Sequence, residues 1–427
     1  MATQVQSIPL ADRVADSESA PVAALPPISR RKQAAVLLSA FMTIALTIGY
    51  NQTFGVFQEY YLSPSQDIIT PAPAAQASPP TALLAFVGTL CYGLTWAGGI
   101  LVNPVISRIE HGTWTLGTPS TRRRILRSLT PRTVTISGVL IMSAGFALAS
   151  ILAGGGAGGL VFSPVIRALL TSLGGRWTLR IYALFNLVAG LPIAWAVPRS
   201  RFANTPAANG SGRRDTHVSR ALALKPTFLF SVVAAFLQSA GAQLPLSFIP
   251  SYTVVLGLTA SNGATYLAVS NAINAVSRIL TGYAGDRLGR QNTLFLTLLV
   301  AACSVFAFWL TSVLTSTPSS SASLWLAFIV LYSVSAGGYY ALFPALIAEV
   351  FGIQQYAAVN AFILFVRGLG TMFGSPVGGQ LLGNSEQGTG AYTSIAYWDG
   401  ALLMGATACC LGVRWADGKG KGWQWIA

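Results

Sequence analysis

Charge is scarce in this chain. Of its 427 residues, 12 are Asp or Glu and 2 are His, and charged residues make up 9% of the total. A typical soluble domain carries about 25%. Acids and imidazoles spread this thinly argue against a catalytic or metal-binding cluster of carboxylates and histidines. His111 and His217 both fall in polar stretches, so neither suits a proton relay inside an apolar segment. Cysteine is rare as well. Cys91, Cys303, Cys409 and Cys410 lie in or near apolar runs without a CxxC spacing, so no disulfide framework or thiolate site is expected. No cofactor or metal is implied. A membrane-embedded acyl or prenyl transferase, the distant alternative, would lack its acid–base constellation, and the chain does not read as an enzyme.

What the chain has in quantity is apolar sequence, 53% of all residues. Apolar runs occur at 33–57, 80–106, 133–153, 157–174, 177–197, 227–251, 261–283, 291–313, 322–350, 356–383 and 394–413. Stretches of about 20 apolar residues are long enough to cross a bilayer, so the expected class is an all-α multi-pass membrane protein. The polar, Pro/Ala-rich residues 1–32 read as a disordered cytoplasmic tail, with no cleavable signal apparent.

The net charge of +14 does not point to nucleic acid, because the basic residues gather in alternate loops instead of along one helix face. Arg30, Arg31 and Lys32 hold the N-terminus inside, and the Lys- and Arg-free stretch 58–79 faces out. Stretch 107–132, with Arg108, Arg122, Arg123, Arg124, Arg127 and Arg132, faces in. The linker 198–226 holds Arg199, Arg201, Arg213, Arg214, Arg220 and Lys225 and is expected on the same side. Arg414, Lys419 and Lys421 place the tail 414–427 inside after six spans over 227–413. The bundle over 33–197 offers only five spans and does not close. Residues 147–150 run almost directly into the glycine run 154–159, so a crossing is missing there, or 157–174 fails to cross. Eleven spans are read where a two-bundle architecture needs twelve. The sequon at Asn209 in the linker is expected to stay cytoplasmic and unmodified.

One short hydrophilic segment carries the most information. Gly282, Asp286, Arg287, Gly289 and Arg290 stand at the spacing G-x-x-x-D-R-x-G-R between two long apolar runs. Glycines permit a tight reversal there, and the charged pair can tie helix ends together on the basic side. The segment resembles the loop motif of the major facilitator superfamily of secondary transporters. Further stretches resemble the fungal monocarboxylate-transporter-like branch: 53–61 (TFGVFQEYY), 155–167 (GGAGGLVFSPVIR), 175–180 (GRWTLR), 274–278 (NAVSR), and 367–370 (RGLG) with 374–379 (GSPVGG). The resemblance covers about 33–415, with a whole helix absent near 150–154 and a longer loop near 112–128. It implies a two-bundle helical transporter, a small-molecule substrate, a monomer in a lipid bilayer, and the plasma membrane before the vacuole.

Asn271, Asn274 and Arg278 are spaced i, i+3, i+7 and so share one helix face. A charge inside the hydrocarbon is costly and usually faces a cavity, although a side chain near a span's end can snorkel. In the monocarboxylate transporters that this resembles, an arginine at the place of Arg278 binds the substrate carboxylate, to which a guanidinium offers two parallel donors. The resemblance also puts Asn274 where they have an acid, and Asn51 where they have a lysine, so proton coupling of the usual kind is not implied. Arg367 is the second intramembrane cation, with a packing role as open as a binding one. Gln238, Gln243, Tyr252, Tyr339 and Tyr340 are candidate cavity walls, and Glu349 is a candidate partner for the 282–290 segment in gating. Arg176 and Arg180 flank Trp177, a candidate interface anchor. The expected function is alternating-access transport of a small organic anion or export of a secondary metabolite. The alternative is an inactive or regulatory variant, because the fourth helix is missing.

Overall fold

Proline at helix starts and glycine at helix stops give the second part of the chain its outline. The computed structural model describes residues 29–31, 33–39, 42, 54–62, 81–98, 100, 136, 140, 159–196, 218–383, 388–421 and 423. Among these residues all regular structure is helical. Before the linker come α1 (Phe54–Leu62), α2 (Thr81–Ala97) and α3 (Gly159–Ala196). Two helical arms of α3 meet at Gly174, whose φ of 74° and ψ of 172° suit glycine and break the helical run. That bend falls where the sequence separates 157–174 from 177–197.

A single turn, α4 (Arg220–Ala223), precedes the second group of helices, and Ser219 Oγ caps it by accepting from the Leu222 N–H at 3.3 Å. Pro226 at the first position opens α5 (Pro226–Val255). Thr259 caps α6 (Ala260–Leu288), accepting from the Asn262 N–H at 3.2 Å. Gly289, at φ 89°, turns the chain directly into α7, which runs from Arg290 to Leu314 through a π-helical stretch at Val305–Leu310. Pro318 opens α8 (Pro318–Phe351), and Gly352 at φ 81° turns it into α9 (Ile353–Gly383). A 3-10 turn, Thr389–Tyr392, leads into α10 (Thr393–Lys421).

Among the described residues, five helical segments are long and apolar enough to cross a membrane: Pro226–Val255, Arg290–Leu314, Pro318–Phe351, Gln355–Leu382 and Thr389–Gly420. Helix α6 is absent from this group because its middle carries Asn271, Asn274 and Arg278 and its end carries Asp286 and Arg287. An aromatic core ties α5, α7, α8 and the 3-10 turn together. Tyr252 sits 4.6 Å from Trp325 and 4.7 Å from Tyr392, while Trp325 stacks on Phe328 at 5.1 Å. The polar edges of these rings are satisfied, since Trp325 Nε1 donates to Thr253 Oγ1 at 3.0 Å and the Tyr252 hydroxyl pairs with Ser312 at 3.1 Å.

Helices from before the linker pack on helices from after it. Helix α1 lies on α5, α2 on α9, and α3 on α6. A Cβ on Gly55 would come within 2.6 Å of the Leu246 carbonyl oxygen, so the first contact needs glycine. An ion pair between Glu59 and Arg167 joins α1 to α3.

Several expectations change. The 282–290 segment is not a loop, because α6 stays helical through Leu288 and the reversal is confined to Gly289. Arg278 therefore lies about 15 Å from the end of its helix at about 1.5 Å per residue, deeper than a span ending at 283 implies. Helix α1 runs on to Leu62, α10 runs on to Lys421 within the expected tail, and the end of the linker is partly ordered as α4. Tyr252 belongs to the aromatic core and not to a cavity wall. Asn51, Asn209, the stretch 107–132 and the junction at 150–154 lie outside the described residues.

Candidate functional site

Two close helix crossings build the site. At the first, Gly337 of α8 lies against α6, and a Cβ there would fall 2.0 Å from Ser277 Oγ and 2.6 Å from the Asn274 carbonyl oxygen. Ser277 Oγ also donates to the Ser333 carbonyl at 3.3 Å, which fixes the two helices in register. Arg278 and Tyr340, each close to this crossing, are thereby brought together, with the guanidinium carbon 5.0 Å from the ring centroid.

At the second crossing, α2 meets α9 through glycine. A Cβ on Gly368 would come within 2.4 Å of the Gly93 carbonyl oxygen, and one on Gly93 within 2.7 Å of the Gly368 carbonyl oxygen. Small residues at such a contact let backbones approach and bring adjacent side chains across the seam. Here the adjacent side chains are Trp96 on α2 and Arg367 on α9, whose guanidinium carbon lies 5.1 Å from the Trp96 ring.

The two arginines differ in their surroundings. Arg278 is half-buried and folds back on its own helix, with Nε and Nη2 donating to Asn274 Oδ1 at 3.1 and 3.0 Å. Arg367 is 4% exposed and is enclosed by rings, with Tyr339 at 4.9 Å, Tyr340 at 5.0 Å and Phe343 at 5.8 Å besides Trp96. Its Nε–H has no acceptor among the described residues. Neither arginine pairs with a described carboxylate. Two cations with no carboxylate partner among the described residues, one buried and one half-buried and both against Tyr340, form an electropositive spot suited to an anion. The Tyr340 hydroxyl lies 3.5 Å from that of Tyr92 on α2, at the outer limit of a hydrogen bond.

Of the residues singled out in the sequence, the fold gathers Asn274, Arg278, Tyr339, Tyr340 and Arg367. Asn271, three residues before Asn274, keeps a buried Nδ2 without an acceptor among the described residues. Gln238 and Gln243 are 2% and 5% exposed on α5, each with an Oε1 lacking a donor among the described residues, and neither bonds to the arginines. Sequence reading missed Tyr92, Trp96 and Phe343. A Tyr and a Trp at i and i+4 in an apolar run, like a Phe at i+3 from Tyr340, resemble ordinary packing residues until the crossings are known.

The charged end of α6 forms a second group. Arg290 reaches Asp286 at 3.3 Å and Glu349 of α8 at 3.5 Å, so one guanidinium spans the Gly289 turn and the end of the neighbouring helix. Arg287 lies over Tyr283 at 5.1 Å, and Gly282 has open space where a Cβ would stand. Elsewhere, a cavity of about 450 Å³ opens between α3 and α6, lined by Arg167, Thr171, Thr259 and Ser261 among others. Arg180 lies 5.0 Å from the exposed Trp177 ring.

A family model described as Major Facilitator Superfamily matches residues 80–375. The chain is 24% identical over 396 residues to the MFS transporter asaE of Aspergillus flavus, covering 89% of this chain and 86% of the relative. It is 23% identical over 374 residues to the Agnestins efflux protein AgnL12 of Paecilomyces divaricatus, covering 81% and 80%. In fold it is similar to a crystal structure of a D-xylose-proton symporter, with a TM-score of 0.52, 14% identity, and coverage of 92% and 98%.

Proposed function

The chain belongs to the major facilitator superfamily, and on that footing we propose that it is a secondary transporter exporting a small organic anion, a carboxylate-bearing secondary metabolite, by alternating access. Membership in a transporter superfamily makes it a multi-pass membrane protein that carries a small molecule, and speaks against an enzyme. The observation that carries the anion reading is the pair Arg278 and Arg367, both lacking a described carboxylate partner and sharing Tyr340. Export is favoured because relatives such as the agnestins protein are named as efflux proteins. The likeness to the monocarboxylate branch supports Arg278 as the group that meets the carboxylate. Asn274 holds it in place through a neutral oxygen that an incoming carboxylate displaces. On this reading both termini lie in the cytoplasm, which the basic residues Arg30, Arg31, Lys32, Arg414, Lys419 and Lys421 support, and the protein works in the plasma membrane as a monomer.

The test is uptake of labelled monocarboxylates by the full chain in proteoliposomes. Arg278→Lys keeps the charge and loses the two-pronged geometry, so KM should rise about tenfold, equivalent to about 1.4 kcal/mol. Arg278→Ala should abolish saturable uptake. Unchanged affinity in both variants overturns the assignment.

A further inference from the structure

Three of the four rings around Arg367 sit on α8, after the linker like Arg367 itself: Tyr339, Tyr340 and Phe343. The fourth, Trp96, comes from α2, before the linker. It reaches the guanidinium because α2 and α9 touch at Gly93 and Gly368. Alternating access re-forms the contacts between the two bundles, so the ring that leaves when α2 and α9 part is Trp96. The other three travel with Arg367. Its departure uncovers part of a buried guanidinium whose Nε–H lacks an acceptor among the described residues.

Resting on the carboxylate reading of the site, we propose that Trp96 holds the place of the substrate's own ring, and that the transported anion is an aromatic acid. A ring bearing a carboxylate supplies both things the uncapped Arg367 lacks. The π face replaces Trp96 over the guanidinium plane, and an oxygen in that plane accepts from Nε–H. Arg278, half-buried and held by a neutral amide oxygen, meets the acid first. Arg367 then selects it for aromaticity. An aliphatic acid of the same size satisfies the Nε–H and leaves the guanidinium face bare.

The full chain in lipid nanodiscs is titrated with benzoate and with cyclohexanecarboxylate, monocarboxylates of similar size of which only the first has a π face. Benzoate should bind about fivefold more tightly, the scale of one partly desolvated cation–π contact. Trp96→Leu removes the cap and should raise benzoate affinity about fivefold, with cyclohexanecarboxylate unchanged, whereas Trp96→Phe should stay near the parent value. Arg367→Met should erase the preference while Arg278-dependent binding of both acids persists. If that variant does not elute as a single folded species, the two Trp96 variants carry the test alone. Equal binding of the two acids, lost in Arg278→Gln, overturns the aromatic assignment and leaves the carboxylate reading standing. So does an unaltered benzoate affinity in Trp96→Leu. Binding of neither acid overturns both.

Discussion

The Tyr340 ring stands 5.0 Å from the guanidinium carbon of Arg278 and 5.0 Å from that of Arg367. Two like charges thus lie against one π system, which attracts each of them. Removing the ring takes that attraction away from both cations, the half-buried Arg278 and the buried Arg367. Tyr340→Leu is therefore expected to lower the stability of the folded chain by about 1–3 kcal/mol, combining lost packing with lost cation–π attraction. Tyr340→Phe keeps the ring and loses only a marginal 3.5 Å contact to Tyr92, so it should change stability by less than about 1 kcal/mol. Thermal unfolding in detergent, read by the fluorescence of the buried tryptophans, separates the two variants.

The bridge made by Arg290 predicts a kinetic effect without a thermodynamic one. Its partners are well exposed, 67% for the Asp286 side chain and 31% for Glu349, so solvent screens both pairs and each is worth about 0–1 kcal/mol. Asp286→Asn and Glu349→Gln should thus leave the melting temperature nearly unchanged. If the bridge holds the α6, α7 and α8 ends together in one access state, the same variants should alter the rate of substrate exchange severalfold while equilibrium binding persists. Weakened binding with normal exchange would remove the gating role.

Apolar runs alone reveal the fold class, because a segment that must cross hydrocarbon cannot hide its composition. The polar face of α6 is legible for a related reason, since Asn271, Asn274 and Arg278 repeat at helical spacing in a sequence otherwise poor in such groups. What the sequence hides is anything set by two helices crossing. Trp96 becomes part of the site only because Gly93 and Gly368 let α2 and α9 touch, and neither segment alone encodes the partner. The extent of α6 is hidden too, because the glycines at 282 and 289 look equivalent in the motif. Only Gly289 takes a positive φ; Gly282 continues the helix.

The glycines of α9 are expected to differ sharply from that of the motif. A Cβ on Gly374 would stand 1.9 Å from the Ala240 carbonyl oxygen and 2.7 Å from its carbonyl carbon, and backbone cannot swing aside. Gly374→Ala must push α5 and α9 apart, which should destabilise the protein by about 1–3 kcal/mol or more. At Gly282 nothing lies within 4 Å of the new methyl group and the backbone is helical. Gly282→Ala should gain about 0.5–1 kcal/mol from the lower entropy of the unfolded chain. Parallel unfolding measurements decide the matter, and equal effects at the two positions would mean that α5 and α9 are not packed as described.

Asp399 gives the last expectation. It lies in α10, 0% exposed, and neither carboxyl oxygen has a hydrogen-bond partner among the described residues. The space it fills is opened by Gly241 of α5, where a Cβ would stand 3.1 Å from Oδ1. A carboxyl group buried without donors costs about 1–3 kcal/mol by comparison with mutational series on buried polar groups. Leucine has the same branched outline and no such cost, so Asp399→Leu should stabilise the fold by about that amount. Asp399→Asn, which stays polar and unpartnered, should change stability by less than about 1 kcal/mol. If instead Asp399→Leu proves as destabilising as an ordinary broken polar contact, the carboxyl group has a partner in the membrane-embedded protein, and the α5–α10 seam holds a polar link rather than an isolated acid.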